Sequence, residues 1–249
     1  MLMSVISRPY EFVAMPELSG SRVLITGLTS TSGFDLARGF ADHGARLVIQ
    51  SPEDTPEMTE LSAVLAENSA DIHLFNDPLQ GDDDAQRLVQ AAVKDFGGLD
   101  SVVNLVTVDP CAVARLETVA DVERLVADVL RLPLLLTEIA ANRMRLVWIE
   151  GSILNVVRVA GNGDGRSMMF ADVLRATLAD LTRSLARDWA AHGVRINAVA
   201  PPSSIAVMGR HGDASDADLA AVALEMASRK GRSISGHVLD AEGAARRWC

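Results

Sequence analysis

The chain has 249 residues, 23 basic and 33 acidic side chains, and a net charge of −10. That acidic balance argues against nucleic acid or an anionic membrane as a main partner, because both need a basic face. Two cysteines, Cys111 and Cys249, cannot build a disulfide framework and lack metal-ligand spacing, so no metal is expected and a reducing cytoplasm is the expected compartment.

The elements follow in chain order. Residues 1–17 form an N-terminal arm, ordered or loose, without the basic-then-apolar plan of a signal peptide. From 18 to 249, strand-length apolar runs alternate with helical periodicity, which predicts one α/β domain. Arg22–Thr26 reads as the first strand. A Gly/Ser/Thr turn and a helix from Gly33 to His43 follow, then strands Arg46–Gln50 and Asp71–Phe75. Helix Asp84–Phe96 closes on Gly97-Gly98 before strand Ser101–Val106. A long helix, Val119–Arg143, contains Pro133, which should bend it rather than end it. Strand Leu146–Ile149, helix Met168–Ala191, strand Arg195–Val199 and a last strand near His237–Leu239 complete the order. Ser51–Glu57, Leu79–Asp83, Gly161–Gly165 and Pro201–Ala214 are expected to be loops.

Leu18–Gly27 (LSGSRVLITG), Phe96–Asn104 (FGGLDSVVN), Leu181–Pro201 (LTRSLARDWAAHGVRINAVAP) and Ile234–Gly243 (ISGHVLDAEG) resemble, in order, segments of the short-chain dehydrogenase/reductase family. The resemblance implies a Rossmann-like, doubly wound sheet of seven parallel strands with helices on both faces. It also implies where an NAD(P) cofactor and a catalytic group would sit.

At those positions the chain departs from the family. The family turn T-G-x-x-x-G-x-G is here Thr26-Gly27-Leu28-Thr29-Ser30-Thr31-Ser32-Gly33, with Thr31 at the middle glycine. A Cβ there obstructs close approach of a pyrophosphate. Asp35, in the first helical turn, competes with a phosphate for the positive helix end. Gln50, Ser51 and Pro52 offer neither the acid nor the base that usually meets the cofactor ribose. The family's NNAG becomes Asn104-Leu105-Val106-Thr107, and Asn104 is expected to bond backbone across adjacent strands.

The catalytic Tyr position falls on Ala171, the Lys position on Arg175 and the helix Asn position on Val129, with Ser152 as the candidate serine. Methyl groups carry no transferable proton, so no pKa tuning restores acid–base chemistry there. Composition gives the same answer. The chain has one tyrosine, Tyr10, and two lysines, Lys94 and Lys230, none of which falls on the active-site helix.

The long helices keep their apolar periodicity while the chemistry is missing, which suggests a non-catalytic subunit. Its expected partner is an active short-chain dehydrogenase paralogue carrying NAD(H) or NADP(H), in a heterotetramer built on helices 119–143 and 167–191 and the C-terminal strand. The family offers two precedents: the mitochondrial ketoacyl reductase, and the two-subunit hydroxyacyl-succinyl-CoA dehydrogenase of anaerobic toluene breakdown. Two other readings stand beside it. One is nucleotide-independent chemistry like that of halohydrin dehalogenases, with Glu150 or Asp172 recruited as base; the other is a protein that senses a nucleotide or acyl-CoA.

Overall fold

A computed structural model describes residues 15–159, 164–201 and 215–240. Its centre is a sheet of seven parallel strands: β1 (Arg22–Thr26), β2 (Arg46–Gln50), β3 (Asp71–Phe75), β4 (Ser101–Val108), β5 (Ser152–Val159), β6 (Arg195–Ala200) and β7 (Val238–Asp240). They lie in the order β3-β2-β1-β4-β5-β6-β7. β1, β2 and β4 to β6 are mostly buried, as strands covered on both faces must be.

One face of the sheet is covered by α1 (Phe34–Asp42), α2 (Pro56–Ala66) and α7 (Asp216–Ala227), joined in one apolar cluster through Leu36, Phe40, Leu65 and Leu224. The other carries α3 (Asp82–Phe96), α5 (Val119–Leu146) and α6 (Gly165–Trp189). A short α4 (Pro110–Ala114) follows β4. Helix ends are set locally. Asp82, Asp83 and Asp84 meet the positive end of α3, and Gly97 in the left-handed region stops it. Thr118 and Asp121 form a reciprocal capping box on α5. Pro133 lies inside α5, which runs on through it to Leu146.

Three expectations need correction. Leu146–Ile149 is no strand: Leu146 ends α5, and Val147 and Trp148 turn the corner toward β5. Trp148 sits at φ 55° with its side chain 94% exposed. The strand itself is Ser152–Val159. Gly165, expected in a loop, is the first residue of α6, and the Asp164 carboxylate caps it by accepting from the Ser167 N–H at 2.7 Å. That hydrogen bond holds the Asp164 carboxyl below the usual carboxylate range. Helices α2, α4 and α7 were not placed from the sequence. Residues 1–14 of the arm, Tyr10 among them, and Cys249 lie outside the described residues. No helix among the described residues is long and apolar enough to cross a membrane.

Candidate functional site

Strand order reverses between β1 and β4, and ligands of open parallel sheets bind in the crevice at the carboxyl ends beside such a reversal. Here β1 runs into the Gly27–Gly33 turn, β4 brings Asn104 and Leu105, and β5 ends on Arg158 and Val159.

Beneath the turn lies a buried neutral network. The Thr26 hydroxyl donates to Asn104 Oδ1 at 3.0 Å, and Asn104 Nδ2 donates to Asn155 Oδ1 at 2.8 Å and to the Pro133 carbonyl at 3.3 Å. Asn155 Nδ2 donates in turn to the Thr137 hydroxyl at 3.1 Å, which donates to the same Pro133 carbonyl at 2.8 Å. Asn104 therefore ties side chains of both neighbouring strands to a helix backbone, rather than strand backbone alone as the sequence suggested.

The turn above is filled by the protein itself. Gly27 and Gly33 both take positive φ, and a Cβ on them would come within 2.0 Å of the Leu105 carbonyl oxygen and 2.6 Å of Leu105 Cδ2, respectively. These two glycines thus make room for β4. Thr31, at the position of the missing glycine, points outward and is exposed.

Six of the seven N–H groups from Gly27 to Gly33 have acceptors within the chain. Those of Gly27 and Leu28 go to Gln50, through its side-chain Oε1 at 3.0 Å and its main-chain carbonyl at 3.2 Å. Thr29 and Ser32 pair with each other's carbonyls at 3.0 and 3.3 Å. The Ser30 N–H donates to Glu53 Oε2 at 2.9 Å, and the Gly33 N–H, at the start of α1, to Asp216 Oδ2 at 2.6 Å. Arg158 completes the closure by donating to Asp216 Oδ1 at 2.6 Å and to the Ser32 hydroxyl at 3.2 Å.

Ser51, expected at a vestigial cofactor position, is fully buried and shapes the loop that aims Glu53. Its hydroxyl donates to the Glu53 carbonyl at 3.1 Å and accepts from the Glu53 N–H at 3.0 Å. Gln50 was read as offering a cofactor ribose neither acid nor base. Instead its amide bridges the turn to the Asp77 carbonyl, donating at 2.8 Å.

The positions of the family's catalytic group divide. Ala171 is buried on α6, 7% exposed, and Val129 is half-buried on α5 in the cluster that α5 and α6 share. Arg175 forms an ion pair with Asp240 of β7 and donates to the Pro201 carbonyl at 3.3 Å. Ser152 does not join them. It opens β5 at the amino edge of the sheet, paired with Ser101, and its hydroxyl donates to the Met226 carbonyl at 3.0 Å. The carboxyl end of that strand carries Arg158, thirteen residues before Ala171. Glu150, considered as a recruitable base, is at the amino edge too, facing Arg232 at 3.1 Å.

The crevice thus holds methyl groups and two guanidiniums already committed to carboxylates. Among the described residues no proton donor or acceptor matches the family's arrangement. Nor do these residues fit a dinucleotide, since six of the seven turn amides that would meet a pyrophosphate already donate elsewhere and two carboxylates stand among them. Among the described residues no three His, Cys, Asp or Glu side chains are grouped to hold a metal ion.

Sequence reading gave Gln50 no structural role and missed Glu53, Arg158 and Asp216. The signal for the last was the Ser215-x-x-Asp218 start of α7, where the serine accepts from the Asp218 N–H at 3.2 Å.

Comparison with known proteins agrees with the fold. The short chain dehydrogenase family model matches residues 21–213. An uncharacterized oxidoreductase of Thermotoga maritima is 35% identical over 73% of this chain and 71% of its own length. Momilactone A synthase of Oryza sativa subsp. japonica is 30% identical over 91% and 90%. Among solved structures, the NADH-dependent reductase A1-R′ complexed with NAD superposes with a TM-score of 0.74 at 25% identity, covering 94% of this chain and 99% of that one. A short chain dehydrogenase from Burkholderia cenocepacia J2315 in complex with NADP gives 0.73 at 23%, covering 92% and 98%.

Proposed function

Because the chain belongs to the short-chain dehydrogenase/reductase family yet carries Ala171 and Arg175 at the family's Tyr and Lys positions, we propose that it is a non-catalytic subunit of an NAD(P)-dependent dehydrogenase. The observation that carries this is Ala171. It is buried on α6, at the position of the family's acid–base tyrosine, and Arg175 one turn on is held by Asp240. A methyl group cannot protonate or deprotonate a substrate oxygen.

The partner is an active paralogue with the Tyr/Lys pair, which binds NAD(H) or NADP(H) and oxidises or reduces a hydroxyl or keto group, on an acyl-CoA where the pair follows the toluene-pathway precedent. Support for assembly comes from α5, where Leu125, Val129, Leu132, Leu135 and Ile139 recur at three- and four-residue steps and are only half-buried in the single chain. Met169 and Val173 on α6 are exposed, one turn apart. Pairing these helices with their counterparts in a second subunit would remove that apolar surface from water.

The test is expression alone and together with a Tyr/Lys-bearing short-chain dehydrogenase from the same genome. The chain alone should give no turnover with either nicotinamide cofactor, and the co-expressed pair should elute as a mixed tetramer with activity. A homotetramer of this chain that turns over substrate by itself would sink the reading.

A further inference from the structure

We propose that Glu53, Asp216 and Arg158 form an internal lock on the phosphate-binding turn, in which the chain's own carboxylates stand where a pyrophosphate would. This deepens the reading above, because it names the residues that decide what the turn binds. Three observations converge. First, the Ser30 and Gly33 N–H groups, the two turn donors that meet charged acceptors, donate to Glu53 at 2.9 Å and Asp216 at 2.6 Å. Each N–H has one hydrogen, so while it serves a carboxylate it is closed to a phosphate oxygen.

Second, Asp216 is not occupied with its own helix. Ser215 and Asp218 already form the capping box of α7, which leaves the Asp216 carboxylate free to reach across to α1. There it lies in the positive field of two helix N-termini at once. Third, Arg158 clamps the carboxylate from the other side at 2.6 Å and holds Ser32 at 3.2 Å, so the acceptor is fixed in place. Anion and cation are both supplied intramolecularly, and a free ligand must displace the carboxylates to reach the Ser30 and Gly33 N–H groups.

The lock accounts for the turn better than Thr31 does. Thr31 faces outward, and its hydroxyl lies 3.4 Å from that of Thr29, so its Cβ narrows an approach that the carboxylates already close.

The experiment is calorimetric titration of the full chain with inorganic pyrophosphate, ADP and NAD. The wild type should bind none of them at millimolar concentration. The Glu53→Ala/Asp216→Ala variant should bind pyrophosphate and ADP at least about tenfold more tightly than the wild-type limit, and adding Arg158→Ala should abolish that gain. A wild type that binds ADP as well as the double variant overturns the lock. So does a folded double variant that binds nothing, which would return the obstruction to Thr31.

If the alanine variant does not fold, Glu53→Gln/Asp216→Asn keeps the shapes and removes both charges. It should gain ADP binding by at least about fivefold, and no gain there overturns the proposal equally. These readouts concern the chain alone, so a failed search for a dehydrogenase partner leaves them intact, and the reverse.

Discussion

Two polar clusters meet at the carboxyl ends of β1 and β4, and they are satisfied in opposite ways. The lower one joins Thr26, Asn104, Asn155 and Thr137, all at most 3% exposed, through neutral groups on adjoining strands and a helix. The upper one, the Gly27–Gly33 turn, is satisfied largely by Gln50, Glu53 and Asp216, the last 183 residues away from Gly33 in sequence. Neutral groups with fixed neighbours belong to the fold. Half-exposed charges reaching in from afar hold positions that a ligand's charges could take. The two kinds of satisfaction meet within a few residues of one strand end.

The contrast can be broken at its base first. Gly27→Ala forces a Cβ to within 2.0 Å of the Leu105 carbonyl oxygen at φ 76°, so the variant should fail to fold or lose more than about 3 kcal/mol of stability. Near-wild-type denaturant midpoints would remove the packing account of that glycine.

Asn104→Leu comes next. It leaves the buried Thr26 hydroxyl without its acceptor and removes one of the donors to Asn155 Oδ1, at a cost of about 2–3 kcal/mol in urea unfolding.

Asp216→Ala should cost less, about 1–2 kcal/mol, because its salt bridge to Arg158 is partly solvated and Arg158 can turn toward water. A loss as large as that of Asn104→Leu would mean the turn belongs to the fold after all.

The smallest effect concerns the far edge of the sheet. Burial pushes the Asp100 carboxyl up, but the two-pronged Arg22 contact and the Arg22 N–H outweigh it and hold its pKa below the usual range. A lowered folded pKa stabilises fully above the unfolded value, about 3.9, and that stabilisation is lost as pH falls through the folded value. Asp100→Asn should therefore flatten the acid limb of a thermal-stability profile and leave nucleotide binding unchanged.

Much of the fold was legible because β1 to β4 and β6 are short apolar runs bounded by glycine or charge, and their predicted ranges match within two residues. β5 was misplaced. Leu146–Ile149 is a continuous apolar run that periodicity cannot separate from a helix end, whereas the true strand carries Asn155 and Arg158 in its middle and end. That slip also led to Ser152 as the candidate serine and hid Arg158.

In the sequence, the candidate site offered identities at single positions, as with Ala171 and Arg175. Its closure depends on pairs distant in sequence, Ser30 with Glu53 and Gly33 with Asp216, and a single sequence carries no trace of such pairing.

The Arg158–Asp216 contact also makes two positions one heritable unit. Losing Arg158 alone leaves the Asp216 carboxylate held only by the Gly33 N–H and the two helix ends, and losing Asp216 alone leaves a cation facing vacated donors. Change at either site is conditional on the other. Any lineage leading away from this arrangement, toward cofactor use or beyond it, should show the two residues substituted together rather than one at a time.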